Sequence, residues 1–407
     1  MFHAPLVSSR STLQRIPAQG NGRRLLRRKA QVLAAMGEVI DAGVATGKYV
    51  QGPRVAALEQ LMANRWQVPA AVAVNSGTSA LHLSLEALDL PAGGEVLVPA
   101  VSFISTAYAI SAAGLVPVFV DVDPQTWIMD PAAAHAAITR QTVALVPVHL
   151  HGQMAEMSPL LALAESCGLA VIEDCAQAHG ATCTRVDHPA GDVWYAGSMG
   201  DLGCFSLSGV KNMGGLGDGG MVTVALRLGA RFREIVERLH ALRDLGRVST
   251  QRYVHDEWGW RARMDEFTAT ECLLEVCELD SWNQRRRDIA ARYTAALAHA
   301  IIQAPVIAAG RQHVFFNYVV QSPSAEVRDE FERQLVAAGI EVAEPYTVLA
   351  DQKLYRTEKL ACRVEPLPVA RQRAPLCTHL PIYPELTEEE IERIEEALAR
   401  AGGRCFP

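Results

Sequence analysis

Between about residues 70 and 225 the chain repeats one unit, a short apolar run followed by a stretch of helical periodicity. AVAVNSGTSALHLSLEALDL reads as strand, turn and helix; EVLVPA is a strand, SFISTAYAISAAG a helix and VPVFVDV a strand. After the helical PAAAHAAI come VALVPVH as strand, SPLLALAESCG as helix and LAVIEDCA as strand. Short apolar strands alternating with helices imply an α/β fold, a mostly parallel sheet covered on both faces. Ligands of such sheets gather at the carboxyl ends of the strands. Residues 75–79 follow AVAV there, and Glu173 and Asp174 end LAVI.

The flanks have a different texture. Residues 1–22 read as an irregular lead-in, with helices from about 25 to 41 and 54 to 64 and the Gly- and Pro-punctuated loop TGKYVQGPR between them. The arginine-rich piece Arg23 to Lys29 is expected to be the solvated face of the first helix. Beyond residue 226 come long charged helical segments, the strand-like VFFNYVVQ, and a terminal helix in LTEEEIERIEEALARAG, with Thr387 at its start and acids in its first turn. The expected division is a lead-in over 1–24, a large domain over 25–245 and a smaller α+β domain over 246–407. With 45 acidic against 38 basic residues the formal charge is -7, which disfavours a nucleic-acid partner. Nine cysteines without a C-x-x-C pair read as reduced core thiols. There is neither an apolar leader with a cleavage signal nor an uninterrupted apolar span, so no membrane partner is expected, and a cytoplasmic location is.

Four features carry chemistry. In GCFSLSGVKNMGGLGDGG, residues 203–220, Lys211 sits among small residues and is followed by five glycines, which let backbone pass close to a ligand. A partly desolvated lysine has a depressed pKa and can form a Schiff base with a carbonyl; a surface loop with an incidental lysine fits the same letters. In VIEDCAQAHG an acid after an apolar strand can pair with a protonated ring nitrogen. Adjacent strand residues face opposite ways, so Glu173 and Asp174 should not share a task, and Asp174 is the better candidate. Gln177 and His179 either bond ring substituents or complete a polar turn. NSGTSA offers N–H groups and hydroxyls to a phosphate, as many helix starts do without one, and Ser206 is a further donor. Phe103 either stacks on an aromatic ligand or belongs to the core. The absence of G-x-G-x-x-G and G-x-x-x-x-G-K-[ST] counts against dinucleotide and nucleoside-triphosphate readings. His149 and His151, alternating in a strand-like stretch, read as structural or substrate-contacting rather than metal-binding, and no metal is expected.

NSGT, EDCAQAHG and the lysine–glycine segment, in this order, resemble the DegT/DnrJ/EryC1/StrS family, the sugar and cyclitol aminotransferases of fold type I. The resemblance spans most of the chain, from GKYVQGPRVAALEQ through VSFISTAYAI, PVFVDVD and VPVHLHGQ to LPIYPELTEEEIERI. It implies a large domain built on a mostly parallel seven-stranded sheet, pyridoxal 5'-phosphate (PLP) as cofactor, and a homodimer with sites at the interface. On this resemblance Lys211 carries the cofactor and shuttles the proton, Asp174 pairs with the pyridinium nitrogen, and Gln177 bonds near the ring hydroxyl. Phe103 stacks on the ring, while Thr78, Ser79 and Ser206 hold the phosphate. Related dehydratases have histidine at the lysine position, so Lys211 argues for amino transfer, from L-glutamate or L-glutamine to a keto-sugar or keto-cyclitol. A dehydratase, an aromatizing synthase and a non-catalytic PLP-binding regulator are the alternatives. There are two departures. GWRARMDEF, residues 259–267, places Arg261 where the family often has an asparagine reaching the partner subunit's phosphate, and arginine also donates to phosphate. PYTVLADQKLYR, residues 345–356, lacks the family's late histidine. Trp258, Trp260 and Arg263 are candidates for substrate contact or for the interface.

Overall fold

The structure, a computed structural model, describes residues 15–184, 193–248 and 253–403. In chain order its strands are β1 Ala70–Val74, β2 Glu95–Pro99, β3 Val116–Val120, β4 Thr142–Leu145, β5 Ala170–Asp174, β6 Thr182–Thr184 and β7 Val193–Tyr195. They continue with β8 Leu202–Ser206, β9 Gly220–Val224, β10 Arg311–Gln312, β11 Tyr318–Gln321, β12 Arg363–Val364 and β13 Cys377–Leu380. The main sheet has the order β1-β9-β8-β5-β4-β2-β3-β12. Pairing is parallel from β8 through β5, β4 and β2 to β3. Seven of these strands form the mostly parallel sheet expected, and the eighth, the two-residue β12, joins the β3 edge from late in the chain.

The strand β9 is the exception in direction, antiparallel to both β1 and β8. That reversal sets up the site. Because β9 runs backwards, its first residue, Gly220, pairs with Val74 and Ser206, the last residues of β1 and β8. The segment 207–219 therefore hangs at the carboxyl ends of the sheet beside the turn 75–79. Two glycines permit this closeness: a Cβ on Gly220 would lie 2.2 Å from the Ser76 carbonyl oxygen, and one on Gly77 would lie 2.6 Å from Ser206 Cβ.

The period-two alternation of the strands divides the core into two layers. Val72 and Val74 pack on one face of the sheet, Ala71 and Ala73 on the other. A third cluster, with Ile289, Tyr293, Tyr318, Phe331 and Ile391, underlies the β11–β13 hairpin-like pair and the helices Leu279–Ala296, Ala325–Ala337 and Glu388–Ala401, and it takes in Ile16 from the lead-in. Thr387 opens the last helix with a reciprocal capping box to Glu390. Five cysteines, 175, 183, 204, 272 and 377, are buried free thiols, while Cys167 and Cys277 are exposed. Among the described residues no helix is long and apolar enough to cross a membrane.

Two local readings are corrected. The run VALVPVH does not continue as a strand: β4 stops at Leu145, and His149 to Gly152 turn sharply, with φ of 60° at His151 and 104° at Gly152. The turn is held because His149 Nδ1 accepts the Ala155 N–H at 3.0 Å while its Nε2 meets Glu173 at 2.8 Å. The arginine-rich piece is not a solvated face either. The helix Asn21–Thr46 lies against Glu266–Val276, and the acids of the latter draw the arginines in. Arg28 reaches Glu271 and Glu275 at 3.3 and 3.2 Å, Arg23 reaches Glu390 at 2.7 Å, and Arg24 is buried; Arg27 and Lys29 alone of the basic residues there are exposed.

Glu173 is the most heavily bonded acid of the sheet. Its Oε1 accepts from the N–H groups of Met199 and Gly200 at 2.8 and 2.6 Å, and its Oε2 from Gly197 N–H at 3.0 Å and His149. Truncating it strands buried donors without partners. Glu173→Ala is expected to lose at least about 3 kcal/mol of stability, read as a lowered midpoint of chemical unfolding.

Candidate active site

A cavity of about 450 Å³ opens at the carboxyl ends of β1, β5 and β8, and Lys211 and Asp174 both line it. Lys211 lies in the segment after β8, its N–H bonded to the Ser208 carbonyl at 2.9 Å. Its Nζ sits 4.7 Å from the centroid of the Phe316 ring. Burial lowers its pKa, and the nearby negative charge of Asp174 only partly opposes this.

Asp174 ends β5 and faces the cavity, while Glu173 beside it faces the turn 197–200, the division that strand geometry requires. Its carboxylate accepts from Thr106 Oγ1 at 2.8 Å and from the Ala176 N–H at 3.1 Å. Burial raises its pKa; the two hydrogen bonds and Lys211 pull the other way.

The amide of Gln177 is fixed in orientation. Its Oε1 accepts the His151 N–H at 2.7 Å and its Nε2 donates to the Tyr346 hydroxyl at 2.9 Å, which leaves one amide N–H for a ligand. Burial pushes that hydroxyl up to about 12, so it stays protonated.

At the other end of the cavity the helix Gly77–Ala87 begins. Ser76 caps it, accepting the Ser79 N–H at 3.0 Å, and the N–H groups of Gly77 and Thr78 belong to the unsatisfied first turn that suits an anion. Thr78 Oγ1 is bonded to Ser105 Oγ at 2.8 Å, and Thr78, Ser105 and Ser206 all line the cavity. Phe103, 54% exposed, stands at the cavity as the residue before the helix Ile104–Ala112. Its large apolar face turned to open space is what a stacking platform requires.

Not every sequence candidate converges here. Ser79 spends its N–H on Ser76 and its hydroxyl on Asn75 Oδ1 at 2.7 Å, outside the cavity wall. Arg261 is exposed and off the wall of its own chain's cavity, as a residue expected to reach a partner subunit's phosphate would be, and its carbonyl accepts from Asn75 Nδ2 at 3.4 Å. Trp260 donates to Glu86 at 2.9 Å, Arg263 pairs with Asp244 at 3.2 Å, and His179 packs against Phe205 beneath the sheet. His149, Glu173 and Cys175 approach one another within 4.8 Å, yet both nitrogens of His149 and both oxygens of Glu173 already serve protein donors and acceptors, so the trio is a structural knot. Conversely Gln19, Thr106, Phe316 and Tyr346 line the cavity without having been singled out from sequence. Thr106 had a signal, a polar residue three positions after Phe103 and so on the same side of its helix; Gln19 had none.

The residues fit a phosphorylated heteroaromatic aldehyde. Free N–H groups, a buried acid, an exposed aromatic face and a desolvated amine share one cavity wall. Fold and site together define a fold type I PLP enzyme. Residues 32–399 match the DegT/DnrJ/EryC1/StrS aminotransferase family, and the chain belongs to that family of PLP-dependent aminotransferases. It is 38% identical over 370 residues to UDP-N-acetyl-3-dehydro-alpha-D-glucosamine 3-aminotransferase of Acidithiobacillus ferrooxidans, covering 91% of this chain and 93% of that one. It is 35% identical over 396 residues to dTDP-3-amino-3,4,6-trideoxy-alpha-D-glucose transaminase of Streptomyces venezuelae, covering 96% and 97%. Among solved structures, S. venezuelae DesV superposes with a TM-score of 0.84 at 33% identity, over 97% of this chain and all of that one.

The other lysines, Lys29, Lys48, Lys353 and Lys359, are all exposed. Borohydride reduction after one equivalent of PLP is expected to label Lys211 and leave those four unmodified in peptide mass mapping. Label on any of them with Lys211 free breaks the assignment.

Proposed function

We propose that this chain transfers the amino group of L-glutamate or L-glutamine to the ketone of a keto-sugar or keto-cyclitol in natural-product or cell-surface sugar biosynthesis, with Lys211 as the proton carrier. The observation that carries the reading is a desolvated Lys211 amine sharing one cavity with the buried Asp174 carboxylate. The names of the Acidithiobacillus and Streptomyces relatives, each an amino transfer on a nucleotide-linked sugar, favour an acceptor of that kind.

PLP, when bound, supplies an electron sink that acidifies the carbon bearing the migrating nitrogen. Asp174, whose anion Thr106 Oγ1 and the Ala176 N–H favour against the pull of burial, would hold the proton on the ring nitrogen. Gln177, oriented by His151 and Tyr346, offers its remaining N–H to the ring oxygen. Gly77, Thr78 and Ser206, at the cavity wall, would hold the phosphate, and Phe103 would cover the ring face. Lys211 Nζ, more easily neutral than an exposed lysine, takes a proton from the donor's alpha carbon and delivers it to the carbon that joins nitrogen to the ring. In the second half the same nitrogen carries the proton back toward the acceptor carbon. Phe316 and Tyr346 wall this space and limit water.

The reading extends to a cytoplasmic homodimer with a large domain over 25–245 and a small one over 246–407. Leu26, Leu33, Ile40 and Val44 form an exposed apolar stripe along the first helix, which supports a second copy covering that helix, and Trp258 and Tyr253 are further exposed apolar surface.

Spectroscopy tests the transfer. Adding L-glutamate or L-glutamine to the PLP-loaded protein should bleach the visible band and raise a near-ultraviolet one, and Lys211→Ala should slow that change at least about a thousandfold. A loaded protein whose band ignores both donors overturns the proposal.

A further inference from the structure

The segment that carries Lys211 is rich in glycine, and glycines at 209, 214, 215 and 217 give it no side chains with which to hold its own shape. Its internal bonds are few: Lys211 N–H to Ser208, Gly209 N–H to the Gly217 carbonyl at 3.2 Å, Gly215 N–H to Leu207 at 2.8 Å, and Leu207 N–H to the Gly219 carbonyl at 2.7 Å. What fixes it comes from outside. Arg24, on the first helix and 187 positions away in sequence, donates from Nη1 to the Lys211 carbonyl at 2.9 Å and from Nη2 to the Gly209 carbonyl. One planar fork thus spans the backbone leading into the lysine.

Arg24 is itself held. It is 8% exposed, its Nε lies 3.1 Å from Glu275 Oε1, and its guanidinium sits 5.5 Å from the Trp282 ring centroid. The other oxygen of Glu275 accepts the Gly214 N–H at 2.7 Å. Arginine and acid therefore grip the segment around Lys211, at the carbonyls of 209 and 211 and the amide of 214. Arg28, 3.2 Å from Glu275, completes the charge balance on the buried side.

We infer that Arg24, backed by Glu275, is the positioning residue of Lys211: it sets the backbone from which the flexible side chain reaches the cofactor, and it does so without touching the cofactor pocket. The inference rests on Lys211 being the cofactor-capturing residue. Arg24 is absent from the cavity wall formed by Gly77, Thr78, Phe103, Asp174, Gln177 and Ser206. Those residues recognise the phosphate, ring face and ring nitrogen, and none of them is held by Arg24.

The two forms of the cofactor separate these roles. PLP is captured when Lys211 Nζ bonds the aldehyde carbon and the aldehyde oxygen leaves as water. Pyridoxamine phosphate has no aldehyde and binds through the pocket alone. In Arg24→Lys a single ammonium replaces the fork and serves one carbonyl at most. Misplacing the nucleophile by a fraction of an ångström should slow capture about tenfold or more, while affinity for pyridoxamine phosphate stays within about twofold.

The experiment mixes apo-protein with PLP in a stopped-flow instrument and follows the visible band, alongside borohydride trapping at Lys211, fluorescence titration with pyridoxamine phosphate, and a thermal melt. Slow capture with unchanged pyridoxamine phosphate affinity is the expected result. Parallel weakening of both ligands, or capture at the wild-type rate, overturns the inference. Should Arg24→Lys not fold, Glu275→Gln gives the same split with a smaller slowing, on the order of threefold, and an unchanged capture rate there overturns it too. Failure of wild-type Lys211 to capture PLP would instead overturn the assignment of the lysine, a distinct outcome.

Discussion

The carboxylate of Glu173 ties together the pieces on which the site depends. It lies at the end of β5, fully buried, with its two oxygens shared among three backbone N–H groups and the His149 ring. The three amides belong to the turn that leads into β8, and His149 belongs to the turn that follows β4. One acid therefore holds the carboxyl-terminal ends of β4 and β5 to each other and to the entry of β8. Because residues alternate along a strand, committing Glu173 to that turn commits Asp174 to the cavity on the other side. The pair is a division between building and chemistry made within two adjacent residues.

Desolvation then does the electrostatic work. Burial raises the pKa of Asp174 and lowers that of Lys211, so each charged form is disfavoured for the same reason, and each is also the principal opposite charge in the other's surroundings. The hydrogen bonds from Thr106 and Ala176 tip Asp174 back toward the anion, whereas the Lys211 amine has the Phe316 ring as its near neighbour. An acid supported in its ionised form and an amine eased toward neutrality are what a ring nitrogen and a proton carrier require. The asymmetry comes from hydrogen-bond donors that reach Asp174.

Much of this was legible in the sequence. The apolar runs at 70–74, 95–99, 116–120, 142–145 and 170–174 name their own strands, because a strand covered on both faces has no polar side to disguise it. Asp174 could be separated from Glu173 by strand alternation alone. Direction was not legible: nothing in GMVTV says that β9 runs against its neighbours, although that reversal brings Gly220 to Ser76 and Lys211 to the cavity. The turn at His149 hid inside an apolar run, since the bonds that bend the chain there come from Glu173 and Ala155 rather than from turn residues. Composition also cannot show that the N–H and hydroxyl of Ser79 are bonded to Ser76 and Asn75.

The arginines of the first helix teach a related lesson about charge runs. In RRLLRRK the letters alone describe a surface, and an isolated helix of that composition would keep its charges in water. The burial of Arg24 and Arg28 follows from acids spaced one helical turn apart on a helix more than two hundred residues later, Glu275 meeting both arginines and Glu271 meeting Arg28. Burying that many charges is tolerable only where each is met by a counter-charge or a carbonyl. Glu275 shows the tension: burial pushes it up to about 7, with Arg24 and the Gly214 N–H drawing it back. A glycine-rich segment that approaches a ligand closely needs rigidity from elsewhere, and here a buried ionic cluster on two helices provides it.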